Sequence, residues 1–327
     1  MGKQLLWTLL LRVMKMSKTV NKKFAVAAGQ RVQVTNAQKK QIQNLYKDVA
    51  DEMADIARSL ANKDNISSVM RAEYLKSAQR EINSAMKAVD TMTEHTIIGN
   101  MIRVSHAIVK ANNTMIRGYG YTGVTYSLSR VPDDIVAHIM SGDLYKGKWN
   151  LSKAIWGDNA RKLSEIDTII AKGIAANKSA FDIAKDLEKY VRPGAVKPWD
   201  WGKVYPGSRK VIDYNAQRLA RTMVSHAYQE SFVRTTINNP FIDKYEWLKS
   251  SGDRVCEICL EREGKLYEKD ALPLDHPNGM CTFVIHQTMS DKEIVAYLKD
   301  WTYGEGNTAF DKQMDKYADD MAWKYGF

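Results

Sequence analysis

The sequence predicts a mainly α protein of the α+β class: a bundle of long helices followed by a small C-terminal zinc-knuckle module. Three observations predict it. Apolar residues recur at spacings of three and four through most of the first 237 residues. Strand-like stretches are confined to two short runs, Asp243 to Lys249 and Thr282 to His286. All three cysteines lie between those two runs.

The length of 327 residues accommodates one large or two ordinary domains with a substantial core. A hydrophobic content of 44% with 26% charged residues is globular in character, which excludes a low-complexity tail or a fibrous repeat. Three cysteines in so long a chain argue against a disulfide scaffold and suit a reducing compartment. No apolar run approaches the ~20 residues that would span a bilayer. The apolar stretch from Leu5 to Leu10 lacks a small-residue cleavage site, so no secretory signal is expected. Met16 reads as a natural start, which makes residues 1–15 either an upstream extension or a docking helix.

The net charge of +10 is unevenly spread. Residues 1–47 carry 10 of the 48 Lys and Arg and no acid, which leaves 38 basic against 38 acidic side chains in the rest. Residues 1–36 therefore read as a basic N-terminal arm on a neutral body, expected to be extended or weakly helical until it meets a partner. Lys15, Lys18, Lys22, Lys23, Arg31, Lys39 and Lys40 are its candidates for contact with nucleic acid or an acidic surface. Leu5, Trp7, Leu9 and Leu10 are its candidates for docking on a protein groove.

A helical domain is expected over 37–192. Ile42, Leu45, Tyr46, Val49, Met53, Ile56 and Leu60 form the stripe of its first helix, from about Ala37. Asp64-Asn65 breaks the run, and two further helices follow, Ser67 to about Met86 and Met92 to Ala111. Asn112 to Arg130, with three tyrosines and three glycines, reads as a loop or small β excursion. Helices resume at Pro132, and Leu163, Ile166, Ile169, Ile170 and Ile174 mark another apolar face. Residues 193–207 hold three prolines and two tryptophans and read as a loop or boundary. The third segment, 208–289, joins a long helix to the knuckle. That helix turns Ala216, Leu219, Met223, Ala227 and Phe232 inward and stops at Asn238-Asn239-Pro240. Helices close the chain over 290–327, opened by the capping box Ser290-Asp-Lys-Glu293.

The knuckle carries the chemistry. Cys256 and Cys259 form a C-x2-C pair, sixteen residues intervene, and His276 and Cys281 form an H-x4-C pair. Two close pairs of thiol or imidazole ligands on tight turns suit a tetrahedral zinc site, with Gly264, Pro273, Pro277 and Gly279 supplying the turns. The competing readings are three ordinary buried cysteines, or a redox C-x2-C. The latter belongs beside a strand–helix–strand unit, which the flanking pattern lacks.

The same stretch resembles the C-terminal signature of the phage minor head proteins, the head morphogenesis family of the Mu F-like type. The matching residues are Trp247, Ser250 or Ser251, Asp253, Cys256, Cys259, Gly264, Tyr267, Pro273, His276, Pro277, Asn278 and Cys281. They cover about a tenth of the chain. The family usually ends its motif HPNCRC; here HPNGMC leaves Gly279 and Met280 in place of a cysteine and an arginine. Four ligands remain after that departure. The resemblance implies a minor capsid protein of a tailed phage, a few copies per virion, inside the head and made in the host cytoplasm. Its implied partners are the portal, other capsid proteins and packaged double-stranded DNA, and its implied roles are head assembly and DNA packaging or delivery.

Catalytic patterns are sparse. Ser225 and His226 are helix neighbours pointing about 100° apart, so they do not form a nucleophile–base pair. Asp275-His276, Asn278 and His286 beside a C-x2-C resemble a zinc-braced His-Asn-His nuclease of ββα-metal type. Against that, a second C-x2-C is missing and too few residues separate the two histidines for the intervening helix. A non-enzymatic structural protein is the expectation.

Overall fold

The computed structural model describes residues 20–61, 68–118, 131–146, scattered positions between 161 and 186, residues 214–250, 255–287 and 289–302, and Lys312. Six α-helices and three strands are placed among them. In order these are α1 (Val20–Ala61), α2 (Ser68–Gly118), α3 (Val131–Ser141), α4 (Tyr214–Thr236), β1 (Ile242–Leu248), α5 (Glu257–Arg262), β2 (Leu266–Glu268), β3 (Thr282–Gln287) and α6 (Asp291–Thr302). The protein is thus mainly helical with one small antiparallel sheet, as its periodicity predicts.

Two compact units interleave along the chain. One gathers residues 1–35, 99–139 and 221–327; the other gathers 36–98 and 140–220.

The first unit is built on the sheet, whose strand order is β2-β1-β3. Tyr245 faces Ile285 and Trp247 faces Phe283 across β1 and β3. This face meets α4 through Phe232, whose ring lies 5.1 Å from Tyr245 and 5.7 Å from Phe283. Phe24 of α1 adds a fourth ring, 5.2 Å from Phe232. Aromatic edges and faces at these separations add roughly 0.5–1.5 kcal/mol per pair beyond their burial. On the other sheet face Ala25 covers Leu248 and Val284. The free edge of β3 is partly closed by Asn21, whose amide donates to the Ile285 carbonyl and accepts from its N–H, as a neighbouring strand would. The capping box at α6 forms in both directions, Ser290 N–H to Glu293 at 2.7 Å and Glu293 N–H to Ser290 at 3.4 Å.

The second unit has a conventional helical interior. Ile42, Tyr46 and Val49 are buried as the stripe predicts, with Met86, Val89, Ile97, Ile166 and Ile169. A polar group lies among them: Asp90, Lys162 and Glu165 are all buried, and Lys162 donates to the Tyr46 hydroxyl.

Four expectations are corrected. Residues 20–36 are not an extended arm but the first turns of α1, and Asn21, Phe24, Ala25, Ala27, Ala28 and Arg31 of that segment are buried. An apolar stripe of Phe and Ala there outweighs the charge of the segment, because its lysines all sit on the opposite face. The two helices expected over 67–111 are one continuous helix, α2. Nothing between Met86 and Met92 is Gly or Pro, and the Thr91 hydroxyl donates to the Lys87 carbonyl within the helix. Residues 112–118 of the expected loop also belong to α2, with Met115 and Ile116 buried. Strand β2 was not expected: three residues are too short for a visible alternation, and pairing with β1 makes them a strand. The stretches 119–130 and 193–207 and most of the C-terminal helical segment lie outside the described residues.

Candidate metal centre

The knuckle folds by local turn chemistry. After β1, α5 opens at Cys256, whose carbonyl accepts the Leu260 N–H. That short helix puts Cys256 and Cys259 on one side. Gly264 then takes φ +73°, a left-handed conformation that a side chain would resist, and returns the chain to β2. The second ligand pair sits on the turn His276-Pro277-Asn278-Gly279, closed by the Gly279 N–H donating to the His276 carbonyl at 2.8 Å. Proline at its second position and Asn278 at φ 68° give it the character of a type II turn.

These turns bring three of the predicted ligands into one group and place the fourth, Cys281, against Cys259. The His276 Nε2 lies 3.2 Å from the Cys256 sulfur and 3.1 Å from the Cys259 sulfur. The Cys259 and Cys281 sulfurs are 3.2 Å apart. Cys256, Cys259 and His276 form a group whose ligand atoms all lie within 4.8 Å, and Cys259, Cys281 and Asp275 form a second that shares Cys259. The Cys256/Cys259/His276 cluster could hold a metal ion. Tetrahedral ligands at about 2.0–2.3 Å from zinc stand roughly 3.5–3.8 Å apart, so a small expansion lets the Cys256/Cys259/His276 group hold one, while Cys281, which touches Cys259 but does not join that group, must move in to complete a tetrahedron.

Two features favour an ion over a plain thiol cluster. His276 Nδ1 lies 3.0 Å from the Pro277 carbonyl; donating its proton there leaves the Nε2 lone pair aimed at the sulfurs. A backbone acceptor on the far nitrogen is the usual support of a metal-bound histidine. The thiols are also electrostatically unsettled. Burial, reinforced by the Cys281 and Cys256 sulfurs, pushes the Cys259 thiol up. Burial and then the Asp275 charge push Cys281 up. Pulling the other way, the Cys259 thiol and then the Ser250 N–H favour the Cys281 thiolate. A bound cation would resolve the conflict by deprotonating the group outright.

The centre is held by a stripe that sequence reasoning missed. Thr222, Ser225, His226 and Gln229 recur at i, i+3, i+4 and i+7 on α4, and all four are buried. Each bonds the loop that carries the ligands. The Asn278 N–H donates to the Thr222 hydroxyl at 2.8 Å. The Ser225 hydroxyl donates to the Gly279 carbonyl at 2.8 Å. His226 Nε2 donates to the Asp275 carbonyl at 3.0 Å, and burial lowers the pKa of this ring, which favours its neutral form. Gln229 donates to the Pro273 carbonyl at 2.7 Å and accepts the Asp275 N–H at 2.8 Å. The available signal was four polar residues at helical spacing, diluted by the other polar residues of the helix.

Asp275 and Arg31 complete the support. The Asp275 carboxylate accepts the His276 N–H at 2.9 Å and the Cys281 N–H at 3.1 Å, bracketing the turn. A side chain at Gly279 would meet that carboxylate at 2.3–2.4 Å, so glycine is required there. Arg31 is 1% exposed and does not present its charge to a partner, which corrects its assignment to a binding face. Its guanidinium donates to the Met280 and Cys281 carbonyls instead. Lys22, Lys23, Lys39 and Lys40 are exposed. Leu5, Trp7, Leu9, Leu10, Lys15 and Lys18 lie outside the described residues.

Asp275 is committed to backbone N–H groups, and His286 bonds Glu246 at 2.9 Å on the sheet, outside both ligand groups. The described helices contain none long and apolar enough to cross a membrane. Compared with models of protein families, with curated proteins and with solved structures, the chain shows no match.

Proposed function

We propose that the protein is a structural minor head protein of a tailed phage, braced by one zinc ion bound to Cys256, Cys259, His276 and Cys281. The observation that carries the zinc assignment is the cluster of Cys256, Cys259 and an oriented His276 within contact distance, with the Cys281 thiol against Cys259. Thiolate with imidazole is a zinc donor set, and four protein ligands leave no open position for a substrate, as in structural sites. The support around it is also structural: every polar side chain of the α4 stripe is spent on holding backbone.

The phage assignment rests on the resemblance of the Trp247-to-Cys281 stretch to the minor head signature. In that role the protein would sit inside the head near the portal, contact other capsid proteins, and present Lys22, Lys23, Lys39 and Lys40 to packaged DNA or an acidic wall. Its work is assembly and DNA packaging or delivery, and no step needs catalysis.

Two measurements test this. Elemental analysis of the purified protein is expected to find about one zinc per chain; none would sink the metal assignment. Incubation of plasmid DNA with the protein and magnesium or manganese is expected to leave the plasmid intact. Cleavage abolished by His286→Ala would replace this proposal with the nuclease.

A further inference from the structure

We infer that Arg31 is a positioning residue of the metal centre, coupling metal binding to the seating of the first turns of α1 (residues 20–35). The inference rests on the metal assignment above and extends it to a segment some 250 positions away in sequence.

The geometry is direct. One guanidinium nitrogen, Nη1, donates to the Cys281 carbonyl at 2.8 Å and lies 3.4 Å from the Ser225 hydroxyl. The other, Nη2, donates to the Met280 carbonyl at 3.0 Å. The planar group stacks 4.1 Å from the centroid of the Tyr228 ring. Arg31 makes no ion pair with a carboxylate among the described residues, although it is 1% exposed. A buried guanidinium without a carboxylate is costly unless its donors are met in fixed positions. Here two carbonyls of the ligand loop meet Nη1 and Nη2, one belonging to the ligand Cys281 itself, while Nε is buried without a partner among the described residues.

Those carbonyls are in place only while the 276–281 turn is closed. A metal bound to His276 and Cys281 at the two ends of that turn holds it closed. Loss of the metal frees the turn and leaves a buried cation with misplaced acceptors. The segment that carries Arg31 then loses its main polar anchor, and with it the packing of Phe24 and Ala25 weakens. Linkage makes the effect reciprocal: if metal helps seat 20–35, Arg31 must raise metal affinity by the same factor. Supporting residues around metal ligands typically change affinity by about 10–100-fold. Lysine in this position keeps the charge but loses the two-pronged donor, so it should restore only part of the effect.

The test uses the full chain and zinc alone. Zinc affinity is measured by chelator competition for wild type, Arg31→Met and Arg31→Lys, and hydrogen exchange of residues 20–35 is followed with and without zinc. The wild type is expected to lose protection across 20–35 when zinc is removed. Arg31→Met is expected to bind zinc about tenfold more weakly, with Arg31→Lys between the two, and its 20–35 exchange is expected to respond little to zinc. Wild-type exchange at 20–35 that ignores zinc, or Arg31→Met affinity within about twofold of wild type, overturns the coupling while leaving the metal site standing. A wild type that binds no zinc overturns both. Should Arg31→Met fail to fold, Arg31→Lys and Ser225→Ala carry the affinity comparison, and unchanged affinity in both overturns the inference.

Discussion

The knuckle loop with α4 and the helical interior of the second unit differ in how fully their buried polar groups are bonded. In the knuckle most such groups are bonded to backbone, with the Arg31 Nε and the Trp247 Nε1 the exceptions among the described residues. Thr222, Ser225, His226, Gln229, Arg31 and Asp275 each bond a backbone N–H or carbonyl of residues 273–281. In the second unit Asp90 is buried with one carboxylate oxygen unpartnered among the described residues, near Lys162 and Glu94. Burial pushes its carboxyl up to about 6; Lys162 pulls it down, and Glu94 adds to the rise. A polar network with every member bonded makes a loop rigid, whereas a half-bonded polar group weakens the core that holds it. The first arrangement suits a centre that must keep one geometry. The second is a stability cost that a helical interior can carry.

Three substitutions would break or sharpen this contrast. The largest effect is expected at Gly279→Ala. Its new methyl would meet the Asp275 carboxylate at 2.3–2.4 Å, and that carboxylate cannot move without releasing the N–H groups of His276 and Cys281. A loss of about 3 kcal/mol is expected in denaturant unfolding, with weakened metal binding. Wild-type stability in this variant would mean the loop is not rigid. Next comes Gln229→Ala, which removes the partner of both the Pro273 carbonyl and the Asp275 N–H. Two orphaned backbone groups cost about 2 kcal/mol, and zinc affinity should fall with stability. Stability that falls while zinc affinity holds would separate the stripe from the centre.

The third effect, at Asp90→Asn, carries the opposite sign. A carboxyl whose folded pKa of about 6 exceeds the ordinary 3.8 holds its proton more tightly in the fold. Its contribution to stability is therefore greatest at low pH and is lost as pH climbs from about 4 to about 6. Asparagine cannot ionise, so the variant should match wild type near pH 4 and exceed it by up to about 3 kcal/mol at pH 7, about two pKa units at ~1.4 kcal/mol each. Thermal melts across that range measure the difference. A variant less stable than wild type at pH 7 would show that ionised Asp90 is bonded as well as the knuckle groups are.

Much of this architecture was legible in the sequence because its cause is local. Helical periodicity depends on residues three and four apart, so α1, α4 and the buried Ile42, Tyr46 and Val49 could be read directly. The capping box at Ser290 is complete within four residues. The four ligands lie on two tight turns with their own turn residues, so their convergence also follows from short-range chemistry. What only the tertiary structure decided has a common physical reason: its partners are far apart in sequence. Arg31 looked like one more surface charge in a basic run, and nothing within ten residues of it reveals the carbonyls of Met280 and Cys281. Charge counting failed at residues 20–36 because it weighs the segment's repulsion and not the aromatic and aliphatic groups waiting to bury its other face. The α4 stripe reads as ordinary polar surface until the loop it holds is folded against it. Local free energies are written in neighbouring residues, but the burial of a polar group is settled by whichever distant backbone comes to meet it.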